Sequence, residues 1–260
     1  MNNFFKENRQ LVFQAWLSPD EVKELKILDL GCQFGWFGEY CINHQVKEYI
    51  GVDIDESAIT QARIYYPELT FVHSDLEDYL KECVENNIFF DTVVISRTIE
   101  GIHNQVTVLQ NVSKIAKSVV LEIGVPLSPV AYKLLKFIRT FSLSDEEKLE
   151  LDKTKDHIEY DQPFVEYFND NNFVWAIPSI GFYKTIMSNL GFQINLDTYE
   201  KMKQQFPTEY GYFLKDNDGS GGTADKQIGK AILKFTKISN NQIPLTWKEW
   251  YDSEINEIHR

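Results

Sequence analysis

The chain has 260 residues, a mass of 30.4 kDa, 43% hydrophobic and 14% aromatic residues, and a net charge of −13. That apolar content suits one large domain with a small insert, and a field of that sign opposes avid binding of polyanions such as nucleic acids. The three cysteines, Cys32, Cys41 and Cys83, lack metal-ligand spacing, so no metal is expected and a reducing, cytoplasmic setting is the simplest reading. The N-terminal stretch MNNFFKENRQLVFQAWL has neither the apolar core nor the cleavage site of a leader, and no apolar run has the length of a membrane span.

Short β-like runs alternate with amphipathic stretches through the first half. The pattern predicts a strand over Lys26 to Leu30, a helix over Phe34 to His44, a strand over Glu48 to Val52 and a helix over Glu56 to Tyr65 opened by the acidic pair Asp55-Glu56. It continues with a strand over Leu69 to His73, a helix over Leu76 to Glu85, a strand over Phe90 to Ser96, a helix over Val106 to Ala116 and a strand over Ser118 to Ile123. Such alternation builds a parallel sheet with helices on both faces, and its ligand site should lie at the carboxyl ends of the strands. The rhythm stops after Gly124. Within the interruption, Ser128-Pro129 reads as a helix start, followed by the basic helix AYKLLKFIRTF and the acidic run SDEEKLELDKTKDHIEYD. Ser179 to Tyr183 opens another helix that ends at Gly191, and Gly191 to Leu196 and Lys230 to Lys237 read as a final strand pair. Its long polar link contains DNDGSGG. The expected organisation is an N-terminal helix and cofactor half over residues 1–124, a helical cap insert over 125–178, and the second half of the sheet over 179–260. An insert of that length in a compact domain is commonly a cover or a binding element.

The stretch ILDLGCQFGWFGEY, residues 27–40, carries the most chemistry. It places Gly31, Gln33 and Gly35 over a strand-to-helix turn. The dinucleotide fingerprint G-x-G-x-x-G wants glycine where Gln33 stands, because phosphate must approach the backbone there. Asp29 is a poor neighbour for a diphosphate but a good one for a cation. S-adenosylmethionine carries an ammonium and a sulfonium and no phosphate, and free backbone amides at this turn would suit its amino-acid moiety. Asp53 ends the second strand in YIGVDID, close to the spacing of about 20 residues expected of a ribose-binding acid, with no other obvious partner. Asp75 ends the third strand in FVHSDLED, where it could accept from an adenine amino group, and Ser96 and Arg97 end the fourth, facing the methionine end. Singly, these acids read as helix caps or solvated loop residues. Their order, one at the end of each of three successive strands, is what points to a nucleoside.

On these motifs, ILDLGCQFG, YIGVDIDESAI, FVHSDLED and FDTVVISRTIEGIHN, the chain resembles the class I S-adenosylmethionine-dependent methyltransferases over residues 24 to 124. The resemblance implies a Rossmann-like, seven-stranded α/β sheet with S-adenosylmethionine as cofactor. It assigns Asp29, Gly31, Gln33 and Gly35 to the methionine part, Asp53 and Ile54 to the ribose, Ser74, Asp75 and Leu76 to the adenine, and Ser96 and Arg97 to the methionine end. The segment from Trp175 to Phe192, with His103, is similar to sugar and antibiotic O-methyltransferases and to the wobble-uridine modifying enzymes of tRNA.

The acceptor is less legible. Methyl transfer from a sulfonium needs mainly alignment, and a base only when the acceptor is a poorly acidic hydroxyl. His103, just past the fourth strand, and Glu122, at the end of the fifth, are the candidate catalytic groups, with Glu100 and His157 behind them. Tyr183 and Trp175 could wall the pocket or simply fill the core. Lys133, Lys136 and Arg139 in the insert are either solvated charges or a device for anionic acceptors. The leading expectation is O-methylation of a small molecule or glycan precursor. A tRNA methyl or carboxymethyl transferase is the second, opposed by the net charge, and a non-catalytic cofactor-binding scaffold the third.

Overall fold

The computed structural model describes residues 3–102, 104–126, 165–170, 173–178, 180–195 and 228–238. Helices α1 (Asn3–Trp16) and α2 (Pro19–Val22) precede β1 (Lys26–Leu30). Then come α3 (Trp36–Asn43), β2 (Glu48–Asp53), α4 (Glu56–Tyr65), β3 (Thr70–His73), α5 (Leu76–Glu85) and β4 (Phe90–Ser96). A 3-10 turn (Ile99–Gly101) leads to α6 (Gln105–Ile115) and β5 (Ala116–Pro126). The order closes with β6 (Val165–Asp170), β7 (Phe173–Pro178), α7 (Ile180–Asn189), β8 (Phe192–Asn195) and β9 (Ile228–Lys237).

Seven strands form one sheet in the order β3-β2-β1-β4-β5-β9-β8. The first five are parallel; β9 runs antiparallel to both β5 and β8, so β8 points the same way as the first five. The chain begins in the middle, winds outward to β3, then returns to β4 beside β1. That reversal opens a crevice at the carboxyl ends of β1 and β4, the place where open α/β sheets take ligands.

Alternate residues of each buried strand feed two cores. Leu28, Leu30, Val93, Ile95, Val119 and Leu121 pack with residues of α5, α6 and α7 on one face. Ile27, Val94 and Val120 pack with Phe13, Trp16, Phe37, Tyr40 and Ile59 of α1, α3 and α4 on the other. Strands buried on both faces explain the near-continuous apolar runs in the sequence. Full burial of each such side chain contributes about 1.5–3 kcal/mol. The second core is an aromatic layer under the opening turn: Phe13 meets Trp16 edge-on at 5.0 Å and Phe37 stacks on Tyr40 at 5.9 Å.

The insert departs from its expected form in part. Its described residues form an antiparallel β6–β7 hairpin, with Phe168 opposite Trp175 in register, where a helical cap was expected. The strand β7 lies against the 3-10 turn and against β5, so the hairpin sits beside the carboxyl ends of the strands. The expected helix from Ser128 and the cations Lys133, Lys136 and Arg139 lie outside the described residues, as do His103 and His157.

Candidate active site

The turn after β1 is built from three left-handed residues, Gly31 (φ 81), Gln33 (φ 47) and Gly35 (φ 74). Gly31 has no room for a side chain, because a Cβ there would run into the Thr98 hydroxyl beyond β4. At Gly35 a Cβ would stand 2.6 Å from the Phe71 ring. Gln33 is the exposed member and carries the left-handed conformation without being glycine, which costs on the order of 1 kcal/mol.

The backbone amides of this turn are mostly engaged. Gly31 and Cys32 both donate to the Val52 carbonyl, at 2.8 and 3.1 Å, and Gly35 donates to the Cys32 carbonyl at 2.9 Å. The Gln33 amide donates to Asp53 Oδ2 at 2.8 Å. The expectation of free amides is therefore corrected at these four residues: the end of the neighbouring strand β2 takes three of them and the turn itself the fourth. Asp53 likewise has partners where none was foreseen, since its Oδ1 accepts from the Asp55 amide at 2.9 Å. A carboxylate offers about four lone-pair positions, so a half-buried Asp53 still has capacity for two hydroxyl donors. Beside it Ile54 is 69% exposed, an apolar surface at the rim of the crevice.

Asp29 is buried, and its Oδ2 accepts a 2.6 Å hydrogen bond from the Tyr49 hydroxyl on β2. Burial pushes its carboxyl up to about 7; the tyrosine bond opposes this, and the nearby Asp53 carboxylate adds to it. An adjacent cation would favour the ionised form. Asp75 is exposed and caps α5, its Oδ1 accepting from the amides of Glu77 at 2.7 Å and Asp78 at 3.3 Å. Oδ2 takes part in neither bond. The Ser74 amide donates to the Asp53 carbonyl at 3.0 Å and its hydroxyl to the Asp75 carbonyl at 2.9 Å, which ties the ends of β2 and β3 together. Leu76 follows as the half-buried first residue of α5.

At the end of β4 a second polar group assembles around Glu122, which lies within β5, opposite Ser96, and not at its end as expected. The Ser96 hydroxyl donates to Glu122 Oε2 at 2.6 Å, and the Arg97 amide donates to the Glu122 carbonyl at 2.8 Å. Glu122 is 8% exposed. Arg97 has a left-handed backbone (φ 53) and sets its Nε 3.5 Å from Glu100 Oε1. Glu100 is buried, accepts from the Gly124 amide at 2.5 Å, and leaves Oε2 without a partner among the described residues. Burial raises its carboxyl above the usual range; Arg97 opposes the rise. Tyr183 is buried, with its hydroxyl donating to Gln105 Oε1 at 3.2 Å.

The structure thus gathers the candidates into two groups along one crevice: Asp29, Gly31, Gln33, Gly35, Asp53, Ile54, Ser74, Asp75 and Leu76 around the ends of β1 to β3, and Ser96, Arg97, Glu100 and Glu122 at β4 and β5. Sequence reasoning missed Tyr49 and Arg9. Tyr49 sits on β2 two residues before Gly51, the register partner of Asp29, a relation set by strand pairing. Arg9 lies on α1, its guanidinium 4.0 Å from the centre of the Trp36 ring, and nothing in its local sequence marks it. Among the described residues, no group of His, Cys, Asp and Glu could hold a metal ion.

The family model of a methyltransferase domain matches residues 27–118, the span holding this crevice. No curated protein matches the sequence. Three solved structures share the fold. An S-adenosylmethionine-dependent methyltransferase from Mesorhizobium loti is 15% identical, with 87% of this chain and 96% of that chain covered and a TM-score of 0.52. Magnesium protoporphyrin IX methyltransferase from Synechocystis PCC 6803, with bound S-adenosylhomocysteine, is 14% identical, with 90% and 84% covered and a TM-score of 0.52. The N-terminal domain of EvdMO1, also with S-adenosylhomocysteine bound, is 10% identical, with 90% and 81% covered and a TM-score of 0.53.

At these identities the structures establish the Rossmann-like α/β fold; the domain match carries the activity. Residues 27–118 carry a methyltransferase domain, and the chain is an enzyme, an S-adenosylmethionine-dependent methyltransferase with S-adenosylmethionine as its cofactor. The chemistry of the crevice fits a molecule with hydroxyl and amino donors and a positive charge: acids lie at or just past the ends of β1, β2 and β3, and Ile54 offers apolar surface beside them. No helix among the described residues is long and apolar enough to cross a membrane.

Proposed function

We propose that the enzyme methylates an oxygen, a hydroxyl or acidic oxygen of a small molecule or glycan precursor. The observation that carries this reading is the hydrogen bond from Ser96, at the end of β4, to Glu122 on the neighbouring strand β5. It fixes a carboxylate beside the crevice, where an acceptor proton could be received or oriented. When bound, S-adenosylmethionine supplies a methyl group already activated by the sulfonium. The protein then has to align the acceptor, which can contribute about 7–11 kcal/mol, and to accept a proton where the hydroxyl is weakly acidic.

In this reading Asp29, Gly31, Gln33 and Gly35 hold the methionine part with Ser96 and Arg97. Asp53 and Ile54 hold the ribose, and Ser74, Asp75 and Leu76 the adenine. Glu122 orients the acceptor, with His103 sharing the proton. The β6–β7 hairpin borders the acceptor side, which the place of β7 beside the 3-10 turn and β5 supports. Lys133, Lys136 and Arg139 favour an anionic acceptor. An acceptor screen followed by S-adenosylhomocysteine release tests the reading. With a neutral hydroxyl acceptor, Glu122→Gln should lower turnover by about 10²–10⁴-fold while cofactor affinity holds. Full turnover in that variant would remove Glu122 from the chemistry, and a product methylated on nitrogen or carbon would reject the oxygen acceptor.

A further inference from the structure

One face of β2 looks onto Asp29. Side chains alternate along a strand, so Tyr49, Gly51 and Asp53 share that face. In the β1–β2 register Gly51 lies beside Asp29. It has no room for a side chain, because a Cβ there would stand 2.8 Å from Cys32 Sγ and 2.9 Å from the Phe71 ring. The donor comes from Tyr49, whose hydroxyl reaches Asp29 Oδ2 at 2.6 Å. The residue is 2% exposed, and its ring is held by Phe37 and Phe71, with centroids at 6.3 and 5.8 Å.

Burial disfavours the charged form of Asp29, the Tyr49 hydroxyl favours it, and the Asp53 carboxylate disfavours it. Cys32 and Cys41 also act on Asp29, but burial holds both thiols well above the usual range, so they stay neutral beside it. Burial and the charge of Asp29 likewise raise the Tyr49 hydroxyl, which therefore keeps its proton and remains a donor. A hydrogen bond to the charged form is what keeps a carboxyl ionised in apolar surroundings; without it the group takes up a proton instead. A protonated Asp29 has no charge with which to attract a cation.

We propose that Tyr49 is a positioning residue of the cofactor site, whose hydroxyl holds Asp29 ionised and orients its carboxylate for the cofactor's ammonium. The proposal rests on the assignment of Asp29 to that ammonium, and the test separates the two. Calorimetry on the full chain across a series of pH values uses two probes. S-adenosylhomocysteine carries the ammonium, and 5′-methylthioadenosine keeps the nucleoside and lacks it. In the wild type, affinity for S-adenosylhomocysteine should fall about tenfold per pH unit below a bend at about 7, as Asp29 takes up its proton. Tyr49→Phe keeps the ring and loses the donor. It should move the bend upward by about one to two pH units, the size of a hydrogen bond to a charged group. Its affinity for S-adenosylhomocysteine is then about ten- to a hundredfold below wild type at about pH 6, and the gap closes towards about pH 9. Both proteins should bind 5′-methylthioadenosine alike, which also reports a folded site. In an Asp29→Asn background the effect of Tyr49→Phe should vanish. A uniform loss at every pH, a profile identical to wild type, or equal weakening of 5′-methylthioadenosine makes Tyr49 structural only and overturns the proposal. If Asp29→Asn itself leaves the wild-type profile intact, the assignment of Asp29 fails, and the proposal with it. Should the Phe variant not fold, replacement of Tyr49 by 3-fluorotyrosine, a stronger donor of the same shape, should move the bend downward. A bend that stays in place there also overturns the proposal.

Discussion

At the scale of single residues, Asp29 and Asp53 are the most informative. The carboxyl of Asp29 is raised by burial to about 7. Between the ordinary carboxylate range and that value the folded chain binds a proton that the unfolded chain has lost. Stability from this group is therefore full below the unfolded pKa and is lost as pH rises through about 7. Asp29→Asn should remove this slope: relative to wild type, its thermal midpoint should rise between pH 5 and pH 8, which scanning calorimetry across that window would check. A cation beside Asp29 drives the proton off, so cofactor binding near pH 7 should release about half a proton. Titration in buffers of different ionisation enthalpy measures this, and no buffer dependence would separate Asp29 from the cofactor. For Asp53, replacement by Ala removes a charged acceptor and should weaken cofactor binding by about 1.5–3 kcal/mol, with calorimetric affinity as the readout. Asp53 and Asp75 were legible as candidates because Asp53 closes a recognisable strand and Asp75 comes soon after one. Their bonds to the Gln33, Asp55, Glu77 and Asp78 amides were not, since these arise only when turn and helix ends are folded together. Tyr49 and Arg9 were invisible for the same reason: their partners Asp29 and Trp36 are distant in sequence.

At the scale of elements, the opening turn is the part that local chemistry dictates most strongly. Gly31 needs both its positive φ and the absence of a side chain against Thr98. Gly31→Ala should lower the unfolding free energy by about 1–3 kcal/mol from backbone strain alone, with the Thr98 contact adding to it. Urea denaturation would show this as a lower midpoint at constant slope. Strands and helices from β1 to β4 matched their apolar periodicity closely, because a strand buried on both faces leaves a continuous run and an aspartate caps α4 and α5. The fifth strand runs longer than expected, Ala116–Pro126, because pairing with β9 extends it past Ile123. The β6–β7 hairpin was not foreseen. Its strands form by pairing with each other, and the acidic and aromatic run around them lacks the alternation that signals a half-buried strand.

At the scale of the whole molecule, charge and topology act together. The strand reversal between β1 and β4 creates one crevice, in a chain whose net charge is −13. Such a field favours small acceptors over polyanions, so tRNA should bind no more tightly than expected for nonspecific contact, above about 10⁻⁴–10⁻⁶ M at physiological salt. A salt-dependent titration would check that. Class and cofactor were readable from sequence because they rest on turn and strand-end residues within one contiguous half of the chain. The acceptor was not, because its pocket draws on residues that distant segments bring together. The most direct measurement uses S-adenosylmethionine labelled with ¹³C at the methyl group, incubated with the enzyme and an acceptor panel and followed by NMR. The account predicts a new resonance in the O-methyl region, accompanied by S-adenosylhomocysteine. An N-methyl, C-methyl or S-methyl resonance in its place would contradict it.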